Sequence, residues 1–265
     1  MLGAVRASYQ LTAVFLLLFA LGTAAASAAD NAPLALYEKG DYAAAIDAGS
    51  KQGDAAGFAL AARATVAEAS LRDAPCMECF KRAEGLARQA IAADANYLES
   101  QLQLVVALGY QARLMGPLRA RFQRLPEQAR DAIENALRLA PDDPWALSAA
   151  GGFNIEVVRM GGRLLGNLFY GASVDDGIAY FRRAIGKDPD NPVIKLQYAL
   201  SLTSYDFAAK RSEITAVLQS IANGPTADAY GKAMKGRATG MLDLLQQNKT
   251  EEYLLVAHRY LGFPP

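Results

Sequence analysis

ARDAIENALRLAPDDP, residues 129–144, and DGIAYFRRAIGKDPDNP, residues 176–192, are two versions of one helix. Each carries a large apolar residue (Ile133, Phe181), alanine three positions later (Ala136, Ala184) and then a further aliphatic residue (Leu137, Ile185). A proline follows eight positions after the first of these (Pro141, Pro189). Apolar residues at three- and four-residue spacing share one face of a helix, and a proline beyond its end stops it from continuing. RAEGLARQAIAADAN, residues 82–96, repeats the register with Ala83, Ala87, Ala90 and Ile91, with Ala95 in place of the proline. GDYAAAI, residues 40–46, is a weaker fourth copy. Self-similarity along a chain is the mark of repeat architectures, in which no unit buries its apolar face alone.

The remaining sequence reads the same way. Ala-, Leu- and Arg-rich segments with helical spacing are separated by Gly, Pro, Asn and Asp, and no alternating strand pattern stands out. Asp143-Pro144 and Asn191-Pro192 each predict an N-cap followed by proline at the first helical position, and Asn223-Gly224-Pro225 predicts a helix stop. The expectation is an all-α fold.

The pattern resembles the tetratricopeptide repeat family, whose second helix carries a small residue, a bulky one, an alanine and a closing proline. Those positions fall on Ala129, Ile133, Ala136 and Pro141, and again on Gly177, Phe181, Ala184 and Pro189. Gly151 and Ala199, each ten residues past a proline, occupy the small position of the first helix. The resemblance covers roughly Leu34 to Tyr205 and implies an α-solenoid of about four helix pairs. On this reading residues 30–206 form the repeat region and residues 207–265 a helical C-terminal cap. One departure stands out. A family unit is close to 34 residues, whereas Ala95 to Pro141 spans 46 and Pro141 to Pro189 spans 48. Both surpluses, Arg113–Glu127 and Arg159–Asp176, fall between the two helices of a unit, and both open with Arg, Met and Gly.

The amino terminus has the form of a secretory leader. Arg6 precedes the apolar run Leu11–Leu21, and Ala26-Ser27-Ala28 fits the small-x-small cleavage rule. The run is short for a bilayer span, which needs roughly 20 apolar residues, so a cleaved signal over residues 1–28 is favoured over an anchor. That predicts a periplasmic protein with no stable membrane span after cleavage. The remaining chain carries 26 basic against 27 acidic residues, without the basic excess of a nucleic-acid protein.

Chemistry is sparse. Cys76-Met77-Glu78-Cys79 lacks the following His of a haem site and the four ligands of structural zinc, and no βαβ pattern supports a thiol oxidoreductase. In an oxidising compartment a local structural disulfide is the default. His258 lies in an apolar-rich helical stretch, and Asp142-Asp143, Asp175-Asp176 and Asp188-Asp190 sit at turns where capping accounts for them. No catalytic, metal or cofactor motif appears, and the chain reads as a non-enzyme.

The family resemblance points to the concave face, lined by the first helix of each unit. By register its residues are Leu102, Val106, Gly109 and Tyr110, then Trp145, Ser148, Gly152, Ile155, Glu156 and Arg159, then Val193, Leu196, Leu200, Thr203 and Ser204. The set is mostly apolar and holds the single Trp, so something should cover it. The resemblance implies a scaffold that docks a protein or peptide partner along this face; the alternative is a site for a lipid-like ligand, serving envelope transport. In LLGNLFY the residues Leu164, Leu165, Leu168 and Phe169, followed by Tyr170, suit a short helix with an apolar face, expected to fold over the groove as a lid. Membrane-surface association is disfavoured because this stretch has only Arg163 to supply a basic face.

Overall fold

The computed structural model describes residues 32–264; the leader, residues 1–28, lies outside them. The described residues are all-helical. In chain order they form α1 (Ala32–Lys39), α2 (Tyr42–Gln52), α3 (Ala55–Ser70), α4 (Met77–Ala93), α5 (Leu98–Met115), α6 (Pro117–Phe122), α7 (Leu125–Leu139), α8 (Pro144–Tyr170), α9 (Val174–Lys187), α10 (Pro192–Ala222), α11 (Ala229–Gln246) and α12 (Thr250–Tyr260). None is long and apolar enough to cross a membrane.

Six of the helices begin where a short polar side chain catches free backbone donors. Asp143 accepts from the N–H groups of Trp145 and Ala146, both at 2.9 Å, and Asn191 accepts from Val193 and Ile194 at 3.0 and 3.1 Å. Pro144 and Pro192 follow at the first helical position, where a missing N–H costs nothing. Asp41, Asp54, Ser173 and Asp228 cap α2, α3, α9 and α11 in the same way. Within α10 the helix breaks at Asp206, whose carboxylate accepts from the Ala209 N–H at 3.0 Å and so caps a second limb.

Neighbouring helices pack in pairs: α1 with α2, α3 with α4, α5 with α7, and α8 with α9. Gly151 on α8 and Gly177 on α9 let two backbones nearly touch. A Cβ at Gly151 would stand 2.9 Å from the Gly177 carbonyl oxygen and 2.7 Å from the Phe181 ring. These are the positions where the repeated pattern calls for small residues. Gly49 and Gly57 make the same close crossing between α2 and α3.

Both insertions turn on one glycine conformation. Gly116 ends α5 at φ 81°, ψ 163°, and Gly162 interrupts α8 at φ 78°, ψ 164°, a region open essentially to glycine alone. The short helix α6 follows the first turn. After the second, residues 163–170 double back on their own helix, with Gly166 packed on Val158 and Tyr170 edge-on to Phe153 at 6.0 Å.

The carboxy-terminal helices do more than cap one end. With α10 and α9 they form the largest core cluster, centred on Ile214, Leu218, Met241, Leu242 and Tyr253. They also reach the first helices of the chain. The Tyr230 hydroxyl meets the Ser70 hydroxyl at 3.1 Å, Arg237 donates to the Ser70 carbonyl at 2.7 Å, and Gly262 packs against the Tyr110 ring. The stack is thereby bridged across its inner side, from α11 and α12 to α3 and α5. The inner face is too apolar to be left to water, and this segment covers much of it.

Candidate functional site

What remains under that bridge is a cavity of about 570 Å³. Its wall comes mainly from α3, α5, α8 and the start of α10; the stretch from Pro225 to Gly231, Tyr37 of α1, the start of α7 and the turn holding Asp188 and Asp190 add to it. The volume lies within the usual range for small-molecule sites.

Much of the wall is apolar, with Leu102, Val105, Val106, Val157, Met160 and Val193. Polar groups gather near both ends of α5. Near its start, Arg63 lies 4.5 Å over the Tyr37 ring and 4.0 Å from the Glu99 carboxylate, which also accepts from Gln103 at 2.7 Å. Burial pushes the Tyr37 phenol up to about 12, even with the Arg63 cation beside it. Near the end of α5, Arg113 Nε donates to Glu156 at 3.3 Å, while Arg159 donates to the same carboxylate at 3.0 and 2.9 Å. Burial alone would raise the Glu156 pKa, but Arg113 and then Arg159 outweigh it and hold the carboxyl below its ordinary range. Phe263 lies 4.8 Å under the Arg159 guanidinium, and Arg113 also reaches the Leu261 carbonyl at 3.3 Å. Glu99 and Arg113 are fourteen residues apart, so at 1.5 Å per residue the polar ends stand about 20 Å apart.

Of the residues expected on the inner face, Leu102, Val106, Gly109, Tyr110, Trp145, Ser148, Gly152, Glu156 and Val193 line the cavity. Ile155, Leu196 and Leu200 do not; they are buried in the core cluster with α9 and the carboxy-terminal helices. Thr203 is likewise inside, bonded to the Tyr253 hydroxyl at 2.7 Å. On α10 the face turned to the cavity is Val193, Gln197 and Ser201, one helical step from the expected apolar row. Arg159 sits behind Glu156 and does not line the cavity. Arg63, Gln103, Phe153 and Met160, all lining, were missed. For α5 and α8 the signal was present in the three- and four-residue spacing from Glu99 to Arg113 and from Trp145 to Met160.

The expected lid does not cover the cavity. Leu164, Leu165, Leu168 and Phe169 are exposed and line no part of it. The turn at Gly162 and the seat of Gly166 on Val158 carry the segment away. Tyr170, packed on Phe153, donates to Glu127 at 3.0 Å.

Cys76 and Cys79 form a disulfide with Cα atoms 5.2 Å apart. It sits at the start of α4, where Cys76 Sγ also accepts from the Cys79 N–H at 3.2 Å. His258 is exposed and stacks on Phe263 at 4.7 Å. Comparison with protein-family models and with curated proteins returned no match for the chain.

Proposed function

We propose that this is a non-enzymatic binding protein of tetratricopeptide-repeat type, exported to the periplasm, that holds a small elongated ligand with an apolar body. One observation carries the reading: a cavity of about 570 Å³ with a largely apolar wall along α5 and α8. Arg63 pairs with Glu99 and Arg113 with Glu156 near the two ends of α5, and the carboxylates of Asp188, Asp190 and Asp228 stand apart on the side of α10 and α11. Such a wall favours an apolar chain along α5 and α8, and Asp188, Asp190 and Asp228, which form no salt bridge among the described residues, oppose a strongly anionic ligand. The leader-like amino terminus and the Cys76–Cys79 disulfide support export. A protein or peptide partner lying along an open concave face, the other reading of the sequence, would have to separate Tyr230 and Arg237 from Ser70.

Trp145 is the only tryptophan and lines the cavity, so its fluorescence reports on this site alone. Titration with a medium-chain fatty alcohol gives a saturable change in that emission. In Ala149→Phe, which fills the cavity from α8, the change is absent. An unchanged spectrum in the wild type, or an equal response in the filled variant, would overturn the proposal.

A further inference from the structure

Large apolar residues stand in the solvent at one place above all. Leu118 is 71% exposed, Phe122 80%, Leu164 79% and Leu168 71%, and all four belong to the two insertions. The arrangement inverts ordinary amphipathic packing. In α6 the inward residue is Ala120, fully buried, while Leu118 and Phe122, four apart, face out. In residues 163–170 the inward residue is Gly166, while Leu164 and Leu168, again four apart, face out. Two short helices thus bury their small residues and display their large ones.

The two elements lie side by side. The Arg121 guanidinium sits 4.9 Å over the Phe169 ring and bonds to the Tyr170 hydroxyl, and Tyr170 in turn bonds to Glu127. Single exposed apolar residues need no explanation, but a contiguous patch does. Its unpaired charge is positive. Arg121 pairs with Glu127 at 3.5 Å, whereas Arg119, Arg124 and Arg163 form no salt bridge among the described residues, Arg163 donating to the Tyr205 hydroxyl at 2.9 Å. No Asp or Glu occurs between Gly116 and Pro126 or between Val157 and Val174. The stretch 163–170 alone has too few basic residues for a membrane face. The fold supplies the rest from the other insertion.

A second copy of the chain, docked about a two-fold axis, would bring these arginines against their own equivalents. An anionic partner has the matching charge. The apolar side chains project outward and line no part of the cavity, the shape that enters a fluid interface rather than one that receives a protein anchor. We propose that the two insertions form a docking face for a membrane surface bearing anionic headgroups. Leu118, Phe122, Leu164 and Leu168 enter the headgroup boundary, and Arg119, Arg124 and Arg163 meet the phosphates.

Residues 1–28 hold an apolar run of their own, so the test uses the chain from Ala29, which keeps every described residue and the whole packed core. It is floated with vesicles of phosphatidylglycerol and phosphatidylethanolamine, and with vesicles of phosphatidylcholine alone. Binding to the first is expected, falling about tenfold with the second or on raising the salt by a similar factor. Phe122→Ser with Leu168→Ser removes binding while the thermal midpoint is kept, since both side chains are exposed. Arg119→Glu with Arg163→Glu removes it too. Three results overturn the proposal: no flotation with anionic vesicles, equal flotation of the variants, or a dimer that the serine variants convert to monomer.

Discussion

Arg113 reaches from α5 to the Glu156 carboxylate on α8 at 3.3 Å, and so ties together the two inner helices that form most of the cavity wall. Arg159, at the corresponding point of the second insertion, closes on the same carboxylate. The two lengthened connections therefore begin from one shared ion cluster.

Glu156→Gln tests that cluster. The folded-state pKa of Glu156 is depressed, so its contribution to stability is complete above the unfolded value of about 4.3 and is lost as pH falls through the lower folded value. Wild-type protein therefore shows an acid limb that the glutamine variant flattens. Near neutral pH the variant is less stable by about 2 kcal/mol, between the cost of a surface pair and that of a fully buried one. Urea unfolding at several pH values reads both effects.

At the helix crossing, Gly151→Ala puts a methyl against the Phe181 ring and the Gly177 carbonyl. Overpacking of that kind costs about 1–3 kcal/mol. Gly85→Ala, exposed in α4 with no atom within 4 Å of its added Cβ, gains up to about 1 kcal/mol. Opposite shifts of the denaturation midpoint are expected for the two substitutions.

Gly116→Ala and Gly162→Ala face no steric neighbour, yet both backbones lie near φ 80°, ψ 164°. Each substitution costs about 1–3 kcal/mol of local strain. Limited proteolysis should then cut the Gly162 variant between residues 159 and 173 sooner than wild type. Equal cutting would show that the turn does not hold the doubled-back segment.

The disulfide closes a loop of four residues, worth about 2 kcal/mol on chain-entropy arithmetic. Unreduced protein should resist thiol labelling, and Cys76→Ser with Cys79→Ser should lower the thermal midpoint by a few degrees without loss of helicity.

Local features were the legible ones. Asp143-Pro144 and Asn191-Pro192 announce helix starts because a cap and its donors lie within three residues. Gly151 and Gly177 were recognisable from the repeated register. The inner face was read well on α5; on α8 Ile155 serves the core and Arg159 sits behind Glu156, and on α10 the reading missed by one step. There Leu196 and Leu200 invite assignment to an apolar groove, yet they serve the core, while Gln197 and Ser201 face the cavity. The bridge from Tyr230 to Ser70 joins residues far apart in sequence, and no periodicity encodes it. Leu164 and Leu168 looked like a lid because large apolar residues usually turn inward. Gly166 takes the inward place instead, and the turn at Gly162 carries the segment off the groove.

Native mass spectrometry of the purified protein, before and after delipidation, tests the ligand-binding claim most directly. The account predicts a bound apolar species of small-molecule mass in the native sample, absent after delipidation and absent throughout in Ala149→Phe. Identical bare masses in all three samples would contradict it.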